Sequence, residues 1–383
     1  MNTGDAGSPG AALDRAARDV RRILDGALAG DEVSVSDADR LAHAAGRDLL
    51  ALTVTADELR RRQVGDTVTF VVNRNVNFTN VCIKHCGFCA FSRDHREEEG
   101  YFLPAAEIVR RAREAVELGA SEVCIQAGLP PKLDGRYYID LTRAIHDALP
   151  ALHIHAFSPE EVLYGSVRSG LPIKEYLSEL KAAGLGTLPG TSAEILDQDI
   201  RDVIARGRIT VEQWVEVIKT AHSLGIPSTS TLMYGHVENP RHWVNQMVLL
   251  RNIQKETGGF TEFVPLGFVH FNTDLFRMGL SRPGPTISEH LRVHALGRLM
   301  LQGWIENIQV SWVKLGEKLS QLCLRAGAND YSGTLMDENI SRLAGATAGQ
   351  YIAPEEFHRR IRAIGRIPAE RSTTYKLLRV YNN

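Results

Sequence analysis

The sequence predicts an α/β protein: a (β/α)8 barrel of the TIM type, with a helical extension before it and a short extension after it. Three observations lead there. From Asp66 onward, short β-rich runs alternate with amphipathic helical stretches about eight times. The runs recur every roughly 30–40 residues, the length that a strand–helix–strand unit requires. No G-x-G-x-x-G follows the first run, which disfavours the runner-up, a doubly wound open sheet.

The elements follow in order. Residues 1–10 are polar and Gly-rich and read as a frayed tail. From Ala11 to about Gln63 the pattern is helical: AALDRAARDVRRILDGAL sets Leu13, Val20, Ile23 and Leu24 on an apolar stripe. Ser36 is the expected N-cap of the next helix, with acids in its first turn. The expected division is a helical extension at 1–65, a barrel at 66–350, and a C-terminal helix and tail at 351–383. The candidate strands are NVNFT (75–79), EVCIQAG (122–128), HIHAFS (153–158), GTLPG (186–190), STSTLMYG (228–235), EFVPLGF (262–268) and NIQVSWV (307–313), with a weak eighth in LRAGAND (324–330). Between them lie helical stretches such as AAEIVRRAREAVELGA and VEQWVEVIKTAHSLG.

Composition narrows the class. Apolar residues make up 44% and charged residues 23%, as in a soluble globular enzyme. The 44 Lys and Arg nearly cancel the 46 Asp and Glu, and no basic block exists, so a nucleic-acid partner is not expected. The first residues lack the basic start and apolar core of a signal peptide. No apolar stretch approaches the ~20 residues of a membrane helix. Five cysteines, odd in number and clustered, do not make a disulfide framework, and a reducing, cytoplasmic compartment is expected.

Three of those cysteines, Cys82, Cys86 and Cys89, crowd into NVCIKHCGFCAFSRD with the spacing C-x3-C-x2-C. A zinc loop would need a fourth ligand; His85 abuts Cys86 and would have to fold back, and no second knuckle exists. A redox pair of Cys86 and Cys89 leaves Cys82 unexplained. Three thiolates without a fourth suit an iron–sulfur cube with one iron left open. That iron could be chelated by S-adenosylmethionine, and the radical chemistry would then belong to the cofactor.

C-x3-C-x2-C after the first barrel strand, with Phe88 before the third cysteine, closely resembles the radical S-adenosylmethionine superfamily. CIQAGLPPKLDGRYYIDL, HIHAFSPEEVLYG, LPGTSAEIL, TLMYGH and GANDYSGTLMDENI resemble its deazaflavin- and menaquinone-forming branch, and best the tyrosine-using half of FO synthase. The resemblance runs from about Thr67 to Tyr381 and implies a [4Fe–4S] cluster on Cys82, Cys86 and Cys89. It also implies S-adenosylmethionine, L-tyrosine and 5-amino-6-(D-ribitylamino)uracil as ligands, an electron donor, and a partner FO synthase half. The implied reaction breaks the tyrosine Cα–Cβ bond and joins the 4-hydroxybenzyl group to C5 of the uracil. Rival readings are an aminofutalosine synthase or the following cyclase of the menaquinone pathway, and, from a different class, a zinc-stabilised binding scaffold.

Other polar residues cluster at the C-terminal ends of the candidate strands, where barrel active sites lie. Gln126, Ala127 and Gly128 are either a small-residue turn or, with Phe88, part of the S-adenosylmethionine site. Ser158 is a strong N-cap, with Pro159 at the first helical position and Glu160 and Glu161 after it; Ser158 and Glu160 are also candidates for S-adenosylmethionine. Thr191 and Ser192 resemble another cap. Arg201 is the candidate for the methionine carboxylate, against the plainer reading of a solvated helix arginine. His153 and His155 should share one face of their strand, inward in a buried sheet. His155, Tyr234, His236, Glu262, His270, Asn329 and Asp330 supply a mixed polar ring for the substrates. Cys124 and Cys323 read as inert core thiols.

Overall fold

The computed structural model describes residues 9–94, 96 and 99–382; most of the expected tail, at 1–8, and the Met1 terminus with it, lie outside. The helical start is α1 (Pro9–Leu13), α2 (Arg18–Ala29), α3 (Val35–Ala42) and α4 (Gly46–Val64). Val20, Ile23, Leu24 and Ala27 form the buried face of α2, the stripe expected from spacing. The cap of α3 is Ser34, not Ser36: Ser34 accepts from the Asp37 amide three residues on, and Ser36 lies inside the helix.

The chain enters the barrel at β1 (Thr67–Val71), which continues as β2 (Asn73–Val76). β2 pairs in parallel with β3 (Glu122–Ile125), and β3 with β4 (His153–Ala156). Parallel bridges His155–Thr187 and Leu188–Ser228 carry the sheet to β5 (Ser228–Tyr234). β5 pairs with β6 (Phe260–Gly267), and bridges Phe263–Ile308 and Gln309–Asp330 lead to β7 (Asp330–Gly333). β7 pairs in parallel with β1, so the sheet closes on itself. Counting β1–β2 as one strand and the two bridged segments as one each, the barrel has the eight positions of a (β/α)8 fold.

Helices α5 (Ala105–Glu117), α6 (Arg136–Ala148), α7 (Pro159–Ser169), α8 (Ile173–Ala182), α9 (Gln198–Ile204), α10 (Val211–Ser223), α11 (Pro240–Thr257), α12 (Asp274–Arg277), α13 (Ile287–Met300) and α14 (Trp312–Leu324) alternate with the strands. The N-terminal extension packs on this ring, α3 against α11 and α4 against α13. One apolar core runs through both, from Val20 and Leu52 to Ile125, Leu232 and Leu299.

Several strand limits differ from expectation. The first strand begins at Thr67 rather than Asn75. The runs 186–190 and 307–313 touch their neighbours through isolated bridges, because Pro189 interrupts one and α14 begins at Trp312 in the other. In 324–330, Leu324 ends α14 and Gly327 turns with φ +102°, so the strand starts only at Asp330. After α15 (Ile340–Leu343) and α16 (Pro354–Arg362), the chain forms a hairpin where a tail was expected. β8 (Ile367–Arg371) pairs in parallel with β1, and β9 (Leu377–Val380) runs antiparallel to β8.

Candidate active site

A cavity of about 410 Å³ lies inside the barrel and reaches the loops beyond the C-terminal ends of the strands. Cys82, Cys86 and Cys89 all line it. Their loop is held by backbone bonds to four other parts of the chain. The Cys82 amide donates to the Arg93 carbonyl (3.0 Å), that of Ile83 to Leu129 (2.9 Å), and that of Gly87 to Ile204 (2.9 Å). The Leu275 amide in turn donates to the Gly87 carbonyl (2.8 Å). A loop pinned at so many points holds its thiols in place before any ligand arrives.

The donor set fits an iron–sulfur cluster. The Lys84 amide points at Cys82 Sγ (3.4 Å), as a donor to a thiolate would. Burial pushes the Cys86 thiol up to about 12 and raises that of Cys82, with Arg208 working against the shift at both. Metal binding must therefore displace the thiol protons. Among the described residues no three His, Cys, Asp or Glu side chains converge as a site for a single ion. His85 does not line the barrel cavity; it lines an outer hollow that Cys86 and Cys89 share from the other side of their loop, with Arg93 and Arg277.

Phe88, Gln126, Ala127, Gly128, Ser158 and Glu160 line the same cavity. Gly128 lets the end of β3 approach the cysteine loop: a Cβ there would stand 2.3 Å from the Val81 carbonyl oxygen. Glu161 locks the ends of β3 and β4 together, accepting from the Ala127 amide (3.0 Å) and from the Ser158 amide (2.8 Å) and hydroxyl (2.6 Å). Burial raises its carboxyl to about 7, against the pull of those donors. Ser158 is the N-cap of α7, with the full capping box and Pro159 in the first turn. Thr191 and Ser192 sit in a turn instead; Asp197 caps α9.

Arg201 does not line the cavity. Its guanidinium donates to the carbonyls of Ala193 (2.6 Å) and Ile209 (2.6 Å), tying the loop before α9 to the loop after it. The cavity's arginine at this side is Arg208. It donates to Glu194 (2.8 Å) and Glu160 (3.2 Å), and its guanidinium lies over the Phe88 ring at 5.6 Å. Lys84 adds a second cation to Glu160 at 3.3 Å. Burial opposes the charge of Arg208, but Glu194, Cys86 and Glu160 together hold it well above the usual arginine value.

The candidate substrate residues separate. His155 and Glu262 line the cavity. His155 bonds Thr187 Oγ1 (2.7 Å), as His153 does from the same face (2.8 Å), and burial lowers His155 to about 4, so its ring is neutral. Glu262 accepts from Gln309 (2.8 Å) and from the Tyr375 hydroxyl, and burial pushes its carboxyl up. The other five do not line the cavity. Tyr234 is buried against His290 Nδ1 (2.6 Å). His236 packs beside Glu238 (3.3 Å) and under Phe268. His270 lies tilted against Phe271 and edge-to-face with Phe276. Asn329 bonds Arg298 and the Ile308 amide, both at 2.8 Å. Asp330 is fully buried and accepts from two nitrogens of Arg371, Nε (2.5 Å) and Nη2 (3.1 Å). Cys323 is a core thiol, as expected, whereas Cys124 lines the cavity.

Sequence reasoning missed Arg208, Lys314, Glu338 and Arg371, all lining residues. Arg208 follows the short helix α9 in a turn, where it has the look of any solvated arginine. Arg371 comes from β8, beyond the expected barrel.

Residues 76–249 match the Radical SAM superfamily, and residues 257–383 match the CofH/MqnC C-terminal region. The chain is 51% identical over 356 residues to the 5-amino-6-(D-ribitylamino)uracil–L-tyrosine 4-hydroxyphenyl transferase of Methanothermobacter thermautotrophicus, covering 93% of this chain and 97% of that one. The chain belongs to this family of radical S-adenosylmethionine proteins. Family membership implies a [4Fe–4S] cluster and S-adenosylmethionine, and the three cysteines are in place for it. The FO synthase of Mycobacterium leprae is 51% identical over 88% of this chain, which spans 39% of that longer protein. Among solved structures, the FeFe-hydrogenase maturase HydG from Carboxydothermus hydrogenoformans superposes with a TM-score of 0.73 over 93% of this chain and 80% of its own. At 14% identity that likeness shows the shared barrel and nothing about substrate.

Proposed function

We propose that the chain joins the 4-hydroxybenzyl group of L-tyrosine to C5 of 5-amino-6-(D-ribitylamino)uracil, with 2-iminoacetate, 5'-deoxyadenosine and methionine as the other products, in the formation of FO and coenzyme F420. The observation that carries this reading is the C-x3-C-x2-C thiol set on the wall of a closed barrel cavity, in a chain 51% identical along nearly its whole length to the transferase. When bound, a [4Fe–4S] cluster on Cys82, Cys86 and Cys89 with S-adenosylmethionine supplies a deoxyadenosyl radical that takes a hydrogen from tyrosine.

The chain's own residues hold, orient and enclose. Arg208 would take the methionine carboxylate in place of Arg201, and the Ala127–Gly128 edge, fixed by Glu161, would receive the amino group. Ser158 and Glu160 would hold the ribose, with Phe88 on the same cavity wall. Lower in the barrel, Glu262, His155 and Gln309 present the acceptors and donors that a diaminouracil with a polyol chain requires. The apolar walls, Val264, Leu266 and Phe268 among them, exclude water from a radical. An electron donor and a partner FO synthase half acting on the product belong to the same reading, as does a reducing, cytoplasmic compartment.

The test is an anaerobic assay of cluster-reconstituted protein with dithionite, S-adenosylmethionine, L-tyrosine and the ribityl-diaminouracil, followed by mass spectrometry. The benzylated uracil should form only with both substrates and vanish in Cys86→Ala. Deoxyadenosine without adduct would move the substrate toward a menaquinone-pathway relative. No deoxyadenosine from a fully loaded cluster would overturn the radical chemistry itself.

A further inference from the structure

The charged residues that line the cavity mostly satisfy one another. Arg208 and Lys84 are held by Glu160 and Glu194. Arg371 is held by Asp330, with Glu262 at 3.8 Å. Glu161 is held by Ser158 and Ala127, and Glu122 accepts from Asn73 (2.7 Å). Glu194 keeps one buried oxygen, Oε2, without a hydrogen bond, but Arg201 stands 3.8 Å from it. One lining pair has no such direct charge partner.

Lys314 follows the bridged segment 308–309, and Glu338 follows β7, so both rise from the C-terminal ends of neighbouring barrel positions. β7 is also the neighbour of β1, whose continuation leads into the cysteine loop. The Lys314 ammonium donates to Ser341 Oγ at 2.9 Å. Glu338 Oε1 accepts from the Ser341 amide at 2.9 Å. Ser341 therefore stands between the two charges as a spacer, and they form no direct ion pair. Glu338 is only 6% exposed, and its Oε2 atom is buried without a hydrogen-bond partner among the described residues. A buried carboxylate oxygen left without a donor is costly, and such orphans call for an explanation in a native site. Lys314, with three donor positions and one used here, is equally short of acceptors.

An ammonium with spare donors and a carboxylate with a spare acceptor, set side by side and kept from neutralising each other, are the complement of a zwitterion. We infer that Lys314 and Glu338 form the subsite for the head group of an α-amino acid, Lys314 taking its carboxylate and Glu338 its ammonium. Val313, Leu335 and Ile340 line the cavity beside the pair and suit an apolar side chain. This deepens the proposed function, on which it rests for L-tyrosine as the amino acid.

The test titrates the full-length, cluster-reconstituted protein by calorimetry with three ligands: L-tyrosine, tyramine, which lacks the carboxylate, and 3-(4-hydroxyphenyl)propanoate, which lacks the amine. The wild type should prefer L-tyrosine to either analogue by roughly 10–100-fold, the range of one charge-assisted hydrogen bond. Lys314→Met should abolish the preference over tyramine and keep that over the propanoate. Glu338→Gln should do the reverse. A merely structural role would weaken all three ligands together and leave both ratios intact, which would overturn the inference. Lys314→Arg keeps the charge and should keep both ratios, so it serves if Lys314→Met does not fold. Folded variants with wild-type ratios, while adduct formation persists, would sink the subsite and leave the function standing. A wild type that fails to bind L-tyrosine would overturn the subsite, and the function falls with it only if the assay above also yields no adduct.

Discussion

At the scale of single residues, what an arginine does is decided by what surrounds its guanidinium. Arg201 and Arg208 lie seven positions apart and look alike as letters. The first is spent on backbone carbonyls, the second on carboxylates facing the cavity. Arg201→Met should therefore lower stability by about 2–4 kcal/mol, because it strips donors from buried carbonyls. The folded fraction should bind S-adenosylmethionine as the wild type does. Arg208→Met should raise the KM for S-adenosylmethionine tenfold or more and also lower the melting temperature, because Glu160 and Glu194 lose a buried cation. Melts and S-adenosylmethionine titrations on the two variants check both statements; equal effects on binding would contradict them. The cysteines make the same point from the other side. Cys82, Cys86 and Cys89 were legible because their spacing encodes a loop, whereas the exposure of Cys124 to the cavity follows from the pleat of β3.

At the scale of elements, the C-terminal hairpin shows what local pattern does not reveal. β8 carries a proline and two charges in five residues, a poor strand by propensity. It forms because β1 offers an open edge, and because Arg371 finds Asp330 at the end of the register. Asp330 is fully buried, so removing its partner leaves an uncompensated charge. Arg371→Met should destabilise the protein by about 3–5 kcal/mol, read as a fall in the denaturant midpoint. Arg371→Met combined with Asp330→Asn should recover part of that loss. A single variant as stable as the wild type would show that the hairpin is not anchored there. The expected cap holds at Ser158, where Pro159 fixes the first helical position and Glu161 completes the capping box. The cap at Ser34 was misread by two residues, where two serines compete for one cap.

At the scale of the whole molecule, the barrel buries titratable groups that must be neutral. Burial lowers His155, His222 and His294 to about 4 and His290 to about 3. In the unfolded chain they would titrate near ~6.5. As pH falls from 6.5 toward 4, the unfolded state takes up protons that the folded state refuses, so stability present above 6.5 is lost. Each histidine contributes at most about 2 kcal/mol to that loss by pH 5. Glu161 and Glu262 act oppositely: their folded carboxyls hold protons to higher pH than unfolded ones, so their contribution is present at low pH and fades as pH rises. Four groups outweigh two, and the melting temperature should fall between pH 7 and pH 5. A flat or rising melting temperature across that range would contradict the balance.

The sequence by itself determined the fold class, the helical preface, the strand rhythm from β3 to β6 and the three-cysteine loop. Each of these is written in local spacing: a period of 3.6 or 2, a cap, a C-x3-C-x2-C. Only the tertiary structure decided which polar side chains meet in the cavity. Closing the sheet brings β7 beside β1, and so sets Lys314 and Glu338 around one space with the cysteine loop, although more than 220 positions separate that loop from either residue. It also turned Tyr234, His236, Asn329 and Asp330 away from that space, since burial demands partners for each and the framework, not the ligand, supplied them.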